Sequence, residues 1–179
     1  GADLVCVSGD KLFGGPQAGI VAGTAAWVGR VRKDPFFRVL RCDKLMLAAL
    51  QETAMAYLVA AGDAVPAVPV LGILSEDETG LRARAAALAD RLGPTVAVGV
   101  GTSRCGGGTM PRSAVASVTL DITPRAGSVD DLARRLRLGD PPVVGYVESG
   151  RLKIDLRTVF PGRDEALVRA VRAALLTGA

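Results

Sequence analysis

Ser8, Asp10 and Lys11 fall within four residues, where an apolar run (3–8, DLVCVS) meets the turn Gly14-Gly15-Pro16. A hydroxyl, a carboxylate and a primary amine at that spacing can do covalent chemistry on a carbonyl group. The amine is a nucleophile once it has lost its proton, which desolvation or a neighbouring cation promotes. A strand-end lysine among small residues can be approached closely by a flat cofactor. Ser8 could offer its hydroxyl to a phosphate on the same ligand. The glycines let the backbone fold back without side-chain collision. The residues alone leave a second reading open, a structural lysine in a turn.

Other chemistries are removed by what the chain lacks. It contains no histidine, which excludes Ser–His–Asp and Cys–His schemes and most metal sites. Cys6, Cys42 and Cys105 are an odd number with no C-x-x-C pair, so neither a disulfide framework nor a zinc site is indicated. The cytoplasm is the expected compartment. Gly99-Val100-Gly101 is followed by Arg104 where a dinucleotide fingerprint needs glycine, and no stretch fits a phosphate loop. Aromatic residues make up only 4% of the chain, so platforms for stacking bases are scarce. With no signal pattern and no long apolar run, neither secretion nor membrane spanning is expected. A start at Gly1 without an initiator Met reads as an excised piece of a longer chain.

Charge is concentrated. Arg30, Arg32, Lys33, Arg38, Arg41 and Lys44 stand against Asp34 and Asp43, a local excess equal to the chain's net charge of +4. Such a segment suits an anionic ligand or nucleic acid, or simply a solvated face.

The elements that must position these groups follow from periodicity. Residues 3–8 and 17–22 read as strands on either side of the glycine turn. A short helix is expected over 25–31, interrupted by Pro35. Leu47, Leu50, Ala54, Tyr57, Leu58 and Ala61 recur at helical spacing, with Asp43 as cap and Gly62 as stop. The apolar, proline-containing stretch 64–74 reads as a connector. Ser75-Glu76-Asp77-Glu78 has a capping-box pattern, and Leu81, Ala85, Leu88 and Leu92 form one stripe up to Gly93-Pro94. Strands follow at 95–100 and 114–122, then a helix starting near Ser128 and carrying Leu132 and Leu136. A hairpin turns at Ser149-Gly150, with Leu152, Ile154 and Leu156 alternating with Lys153, Asp155 and Arg157. A last helix aligns Leu167, Val171 and Leu175. Two units result: 1–65, the end of a larger α/β domain, and 66–179, a small α/β domain with an antiparallel sheet and helices on one side.

The run Ser8-Gly9-Asp10-Lys11-Leu12, followed by Gly14-Gly15-Pro16-Gln17-Ala18-Gly19-Ile20, resembles the cofactor-lysine segment of bacterial selenocysteine synthases. These L-seryl-tRNA(Sec) selenium transferases belong to the fold-type I pyridoxal-phosphate superfamily. Further matches come in order: Arg38-x-x-Arg41-x-Asp43-Lys44-Leu45, then Gly106-Gly107-Gly108-Thr109-Met110-Pro111, Pro142-Val143-Val144-Gly145, and Leu152-x-Ile154-Asp155-Leu156-Arg157-Thr158. The resemblance covers nearly the whole chain, but family proteins are much longer. Their amino-terminal region and the first part of their cofactor domain have no counterpart here.

The resemblance implies a fold: the end of a fold-type I large domain (1–65) plus a small carboxy-terminal α/β domain with an antiparallel sheet (66–179). It implies that Lys11 holds pyridoxal 5'-phosphate covalently, that Asp10 acts beside it, and that Ser8 contributes to cofactor binding. Arg38 and Arg41 would bind selenophosphate, a tetrahedral oxyanion suited to guanidinium forks. A salt-bridged surface pair and a phosphate contact to tRNA are the other readings of these arginines. The implied reaction converts L-seryl-tRNA(Sec) to L-selenocysteinyl-tRNA(Sec) through a dehydroalanyl intermediate, with seryl-tRNA(Sec) and selenophosphate as partners. A homo-oligomer with sites shared between subunits is implied as well, and these residues alone would be inactive. Arg157 is expected to face solvent or an interface, outside the site. Two other functions compete: a related pyridoxal-phosphate lyase acting on a small amino sugar or amino acid, and a non-catalytic paralogue that binds RNA or a partner.

Overall fold

A computed structural model describes residues 1–62, 64–106, 109–110 and 112–176. The chain divides into two compact units, Gly1–Ser75 and Glu76–Ala179. The division falls after 75 rather than 65 because the expected connector is partly helical. Helix α4, Pro69–Ser75, opens on a proline, tolerated there because a first-turn N–H has no intrahelical partner. Val68, just before it, is buried against Gly14 of the first unit.

The first unit begins with an antiparallel hairpin, β1 (Leu4–Ser8) and β2 (Gly19–Gly23), in a register that pairs Leu4 with Gly23 and Ser8 with Gly19. Helix α1 (Ala25–Lys33) follows, where Arg30 stacks 4.7 Å from the centre of the Trp27 ring. An unexpected short helix α2 (Phe37–Leu40) starts after Pro35, where Asp34 accepts from the Phe36 N–H at 2.8 Å. Helix α3 (Lys44–Val59) is capped as expected by Asp43, which accepts from the Leu45 and Met46 N–H groups. Apolar residues surround α3 almost completely, yet none is buried, and Leu45, Leu58 and Val59 are exposed.

The second unit carries the hydrophobic core. Helix α5 (Glu78–Leu92) is capped by Asp77, accepting from the Gly80 N–H at 2.8 Å. Ser75, the expected cap, instead donates to the Gly72 carbonyl at 3.0 Å. Gly93, at φ +87°, ends the helix. The sheet runs β3-β4-β6-β5, all antiparallel, from β3 (Val96–Ser103), β4 (Val115–Ile122), β5 (Tyr146–Glu148) and β6 (Arg151–Asp155). The β5–β6 turn uses Ser149 and Gly150, both at positive φ. Helices α6 (Val129–Arg137) and α7 (Asp164–Leu176) complete the unit. Val118, Leu120, Ile122, Leu152 and Ile154 of the sheet bury one face with Leu81, Leu88, Leu132, Leu136, Leu167 and Val171 of the helices.

The opposite face of that sheet is polar, and its centre is buried as well. Ser117, Thr119 and Asp121 alternate with the core residues of β4, and Lys153 crosses from β6 to Asp121 at 2.8 and 3.0 Å. Gly99 and Gly101 of β3 leave the space: a Cβ on Gly99 would fall 2.4 Å from the Asp121 carboxylate. These glycines therefore serve packing. Arg157 departs from expectation. It is 4% exposed, its guanidinium donating to the carbonyls of Glu76 and Ala116, both at 2.7 Å. The strand alternation stops at Asp155, and Arg157 lies in a short 3-10 helix, Leu156–Thr158, that turns its side chain inward. Among the described residues no helix is long and apolar enough to cross a membrane. No group of His, Cys, Asp and Glu could hold a metal ion among them.

Candidate active site

Lys11 stands in the loop that joins β1 to β2, and the loop's backbone is closed on itself. The Gly9 N–H donates to the Ala18 carbonyl at 2.8 Å, the Gly15 N–H to Gly9 at 2.8 Å, and the Gly14 N–H to Lys11 at 2.9 Å. Close approach explains two of the glycines. A Cβ on Gly9 would lie 2.7 Å from the Pro16 carbonyl oxygen, and one on Gly14, at φ +73°, would lie 2.3 Å from the Val68 side chain.

Three functional groups meet on this loop. The Lys11 Nζ is 2.8 Å from the Asp10 Oδ2, and the Ser8 hydroxyl donates to Oδ1 of the same carboxylate. These two donors hold the Asp10 carboxyl well below its ordinary range, at about 2, with Lys11 the larger cause and Ser8 the second. The Lys11 side chain is 40% exposed, so a ligand can reach its amine. It is paired with a carboxylate rather than buried or set beside a cation, unlike the surroundings expected for it.

Helix α3 is the floor of the loop. Leu50, Thr53 and Tyr57 share one face at spacings of three and four. The Leu50 and Thr53 side chains each come within 3.2 Å of where a Cβ on Gly9 or Gly15 would sit. The Tyr57 hydroxyl lies 3.2 Å from the Leu12 carbonyl oxygen and 3.1 Å from that of Phe13. Its ring stacks on Phe13 at 5.3 Å between centroids, with the planes 2° apart.

Arg38 and Arg41 form a second cluster. Arg38 lies in α2, and Arg41 follows that helix in extended backbone. Both line a cleft of about 990 Å³ that Arg32 and Lys44 also line. Asp43 is its acidic residue, already occupied as the α3 cap. The cleft is thus basic. Lys11 is not among its lining residues, but Gly19, the strand partner of Ser8, and Leu50, beneath Gly9, are.

This arrangement lies within a region that matches known proteins. The family model described as "SelA: L-seryl-tRNA selenium transferase" matches residues 1–160. The chain belongs to that family. A relative from Moorella thermoacetica, named L-seryl-tRNA(Sec) selenium transferase, is 41% identical over 181 residues, covering 98% of this chain and 38% of the relative. One of the same name from Carboxydothermus hydrogenoformans is 40% identical over 165 residues, covering 89% of this chain and 35% of the relative. The chain therefore spans less than two-fifths of these curated relatives. Among solved structures, one titled D-glucosaminate-6-phosphate ammonia-lyase aligns with a TM-score of 0.63 at 18% identity, covering 99% of this chain and 45% of that one. At that identity the likeness is one of fold.

The region matched to the SelA family includes both clusters. Ser8, Asp10 and Lys11 are brought into contact, whereas Arg38 and Arg41 line a cleft to which none of those three contributes. The glycine loop was expected to match the family too, but Gly107, Gly108 and Pro111 lie outside the described residues. Sequence reading missed the part played by Tyr57, which it took for a member of an apolar stripe. Its signal was available: a tyrosine on such a stripe carries a hydroxyl that needs a partner. Nothing in the sequence named Leu12 and Phe13 as those partners.

Proposed function

We propose that the intact protein converts L-seryl-tRNA(Sec) to L-selenocysteinyl-tRNA(Sec) in the cytoplasm, using pyridoxal 5'-phosphate held on Lys11 and selenophosphate as donor. One observation carries the reading: an exposed lysine amine paired with Asp10 stands on a closed glycine loop next to a basic cleft. Membership of the SelA family supports the substrate assignment. The unit Gly1–Ser75 is the end of a fold-type I large domain in this reading, and Glu76–Ala179 the small domain. The apolar, unburied surface of α3 supports it, since a helix apolar all round is normally covered in an intact protein.

The residues present fit the cofactor. A reachable primary amine suits its aldehyde carbon. Ser8 has a single hydroxyl proton, given to Asp10, so it can serve the cofactor's phosphate only by releasing that carboxylate. When bound, pyridoxal phosphate supplies an electron sink for charge developing at the substrate α-carbon.

The chain's own groups supply the rest. The Lys11 Nζ would hold the cofactor and, when free, would be the base that takes the substrate α-proton. Asp10 Oδ2 orients Nζ, and Ser8 fixes the carboxylate through its other oxygen. Arg38 and Arg41 present guanidinium forks to the tetrahedral donor, forming charge-assisted hydrogen bonds. The site would be shared between subunits of a homo-oligomer. Assay of the intact protein with seryl-tRNA and selenophosphate tests the reading: Lys11→Ala abolishes product, and Lys11→Ala with full product overturns it.

A further inference from the structure

We propose that Tyr57 is a positioning residue for Lys11, acting through the backbone of the lysine loop; this rests on the reading that Lys11 holds the cofactor. The loop satisfies its first carbonyls internally, with Gly9 accepting from Gly15 and Lys11 accepting from Gly14. The next two carbonyls, of Leu12 and Phe13, meet the Tyr57 hydroxyl at 3.2 and 3.1 Å. The single Tyr57 hydroxyl proton is shared between the carbonyls of the two residues that follow Lys11, and the Phe13 ring is fastened by the stack.

The contact spans more than forty residues of sequence, so it ties the loop to a separate element and not to a neighbour in the turn. Helix α3 approaches closely along the same face. The Leu50 and Thr53 side chains come to 3.2 Å from where a Cβ on Gly9 and on Gly15 would sit. With those positions bare, the loop has no side chains of its own there to resist sliding over the helix. The Tyr57 hydroxyl supplies the directional restraint that van der Waals packing lacks.

The same helix is capped by Asp43, two residues after Arg41, so α3 references both the lysine loop and the arginine cleft. A shift of the loop along α3 alters the distance between the cofactor's anchor and the donor's binding groups. Displacements of about 1 Å in such arrangements cost about a hundredfold in rate. The Tyr57 hydroxyl faces backbone carbonyls, so its influence reaches the reaction through Lys11.

Tyr57→Phe in the intact protein keeps the ring stacked on Phe13 and removes only the hydroxyl. In the cofactor-free protein, amide hydrogen exchange at Gly14 and Gly15 is expected to speed up about fivefold, the loss of one hydrogen bond. Capture of pyridoxal phosphate at Lys11, trapped with borohydride and mapped by peptide mass, is expected to slow about tenfold. The melting temperature stays within about 3 °C of the parent, as for a change confined to one exposed loop. Exchange and capture both at parental rates would overturn the proposal. So would a large fall in melting temperature with exchange raised throughout the chain, which would make Tyr57 a residue of the fold. If the parent itself forms no adduct at Lys11, the cofactor reading falls. The exchange difference then still decides whether Tyr57 restrains the loop.

Discussion

Asp10 and Lys11 are adjacent in sequence and paired in space, with 2.8 Å between the carboxylate Oδ2 and the Nζ. Because the Asp10 carboxyl is lowered from 3.8 to about 2, the sign of its pH dependence is fixed. The pairing is fully present above about pH 4 and is lost as pH falls through about 2. Carbon-13 NMR of the Asp10 carboxyl is expected to titrate near 2 in the parent, and near 3.8 when Lys11→Ala and Ser8→Ala are combined. Added salt narrows the difference, since the pair is partly exposed to solvent. A parental midpoint near 3.8 would show that the two donors do not act on the carboxylate.

Arg38 and Arg41 line the same basic cleft, and each is expected to contribute charge-assisted hydrogen bonds to an anionic donor. Arg38→Ala or Arg41→Ala should raise the KM for selenophosphate by about tenfold to a hundredfold, from about 1.5–3 kcal/mol per interaction. Arg38→Lys keeps the charge but loses the fork, and should recover only part of the loss. Steady-state kinetics at varied selenophosphate decide it. An unchanged KM in both alanine variants would remove these residues from donor binding.

The buried pair Lys153–Asp121 should be costly to break and cheap to replace. Lys153→Met leaves the buried Asp121 carboxylate with the Thr119 hydroxyl at 2.6 Å and the exposed Arg151 guanidinium at 3.9 Å, and is expected to destabilise by about 3–5 kcal/mol. Adding Asp121→Leu should restore about half or more of that loss, because no unpaired charge then remains. Urea denaturation of the three variants measures both numbers. Equal stabilities for the single and double variants would contradict the account.

Two glycines at positive φ separate backbone strain from collision. Gly14 and Gly62 have φ of +73° and +57°, but a Cβ meets Val68 at 2.3 Å in the first case and nothing within 4 Å in the second. Gly62→Ala should cost about 1 kcal/mol, the price of a left-handed backbone. Gly14→Ala adds overpacking of about 1–3 kcal/mol. Denaturation midpoints compare them directly.

The fold was legible where burial is one-sided. The Leu81, Ala85, Leu88 and Leu92 stripe, the Asp43 and Ser128 caps, and the Ser149-Gly150 turn follow from local periodicity and turn chemistry, and all are present. Local rules failed where partners are remote. Arg157 reads as a surface residue until carbonyls of Glu76 and Ala116 are brought to it. Lys153 reads as solvated because its partner lies 32 residues away. Of the site, Ser8, Asp10 and Lys11 were legible because their contact is local. The floor supplied by Leu50, Thr53 and Tyr57 was not, because a helix face carries no record of which loop it supports.

Covalent capture at Lys11 is the claim on which the rest depends. The intact protein, incubated with pyridoxal phosphate and reduced with borohydride, should yield one pyridoxyl-bearing peptide, modified at Lys11. Lys11→Ala should yield none. A folded protein whose adduct lies on another lysine, or that forms no adduct with cofactor in excess, would contradict the account.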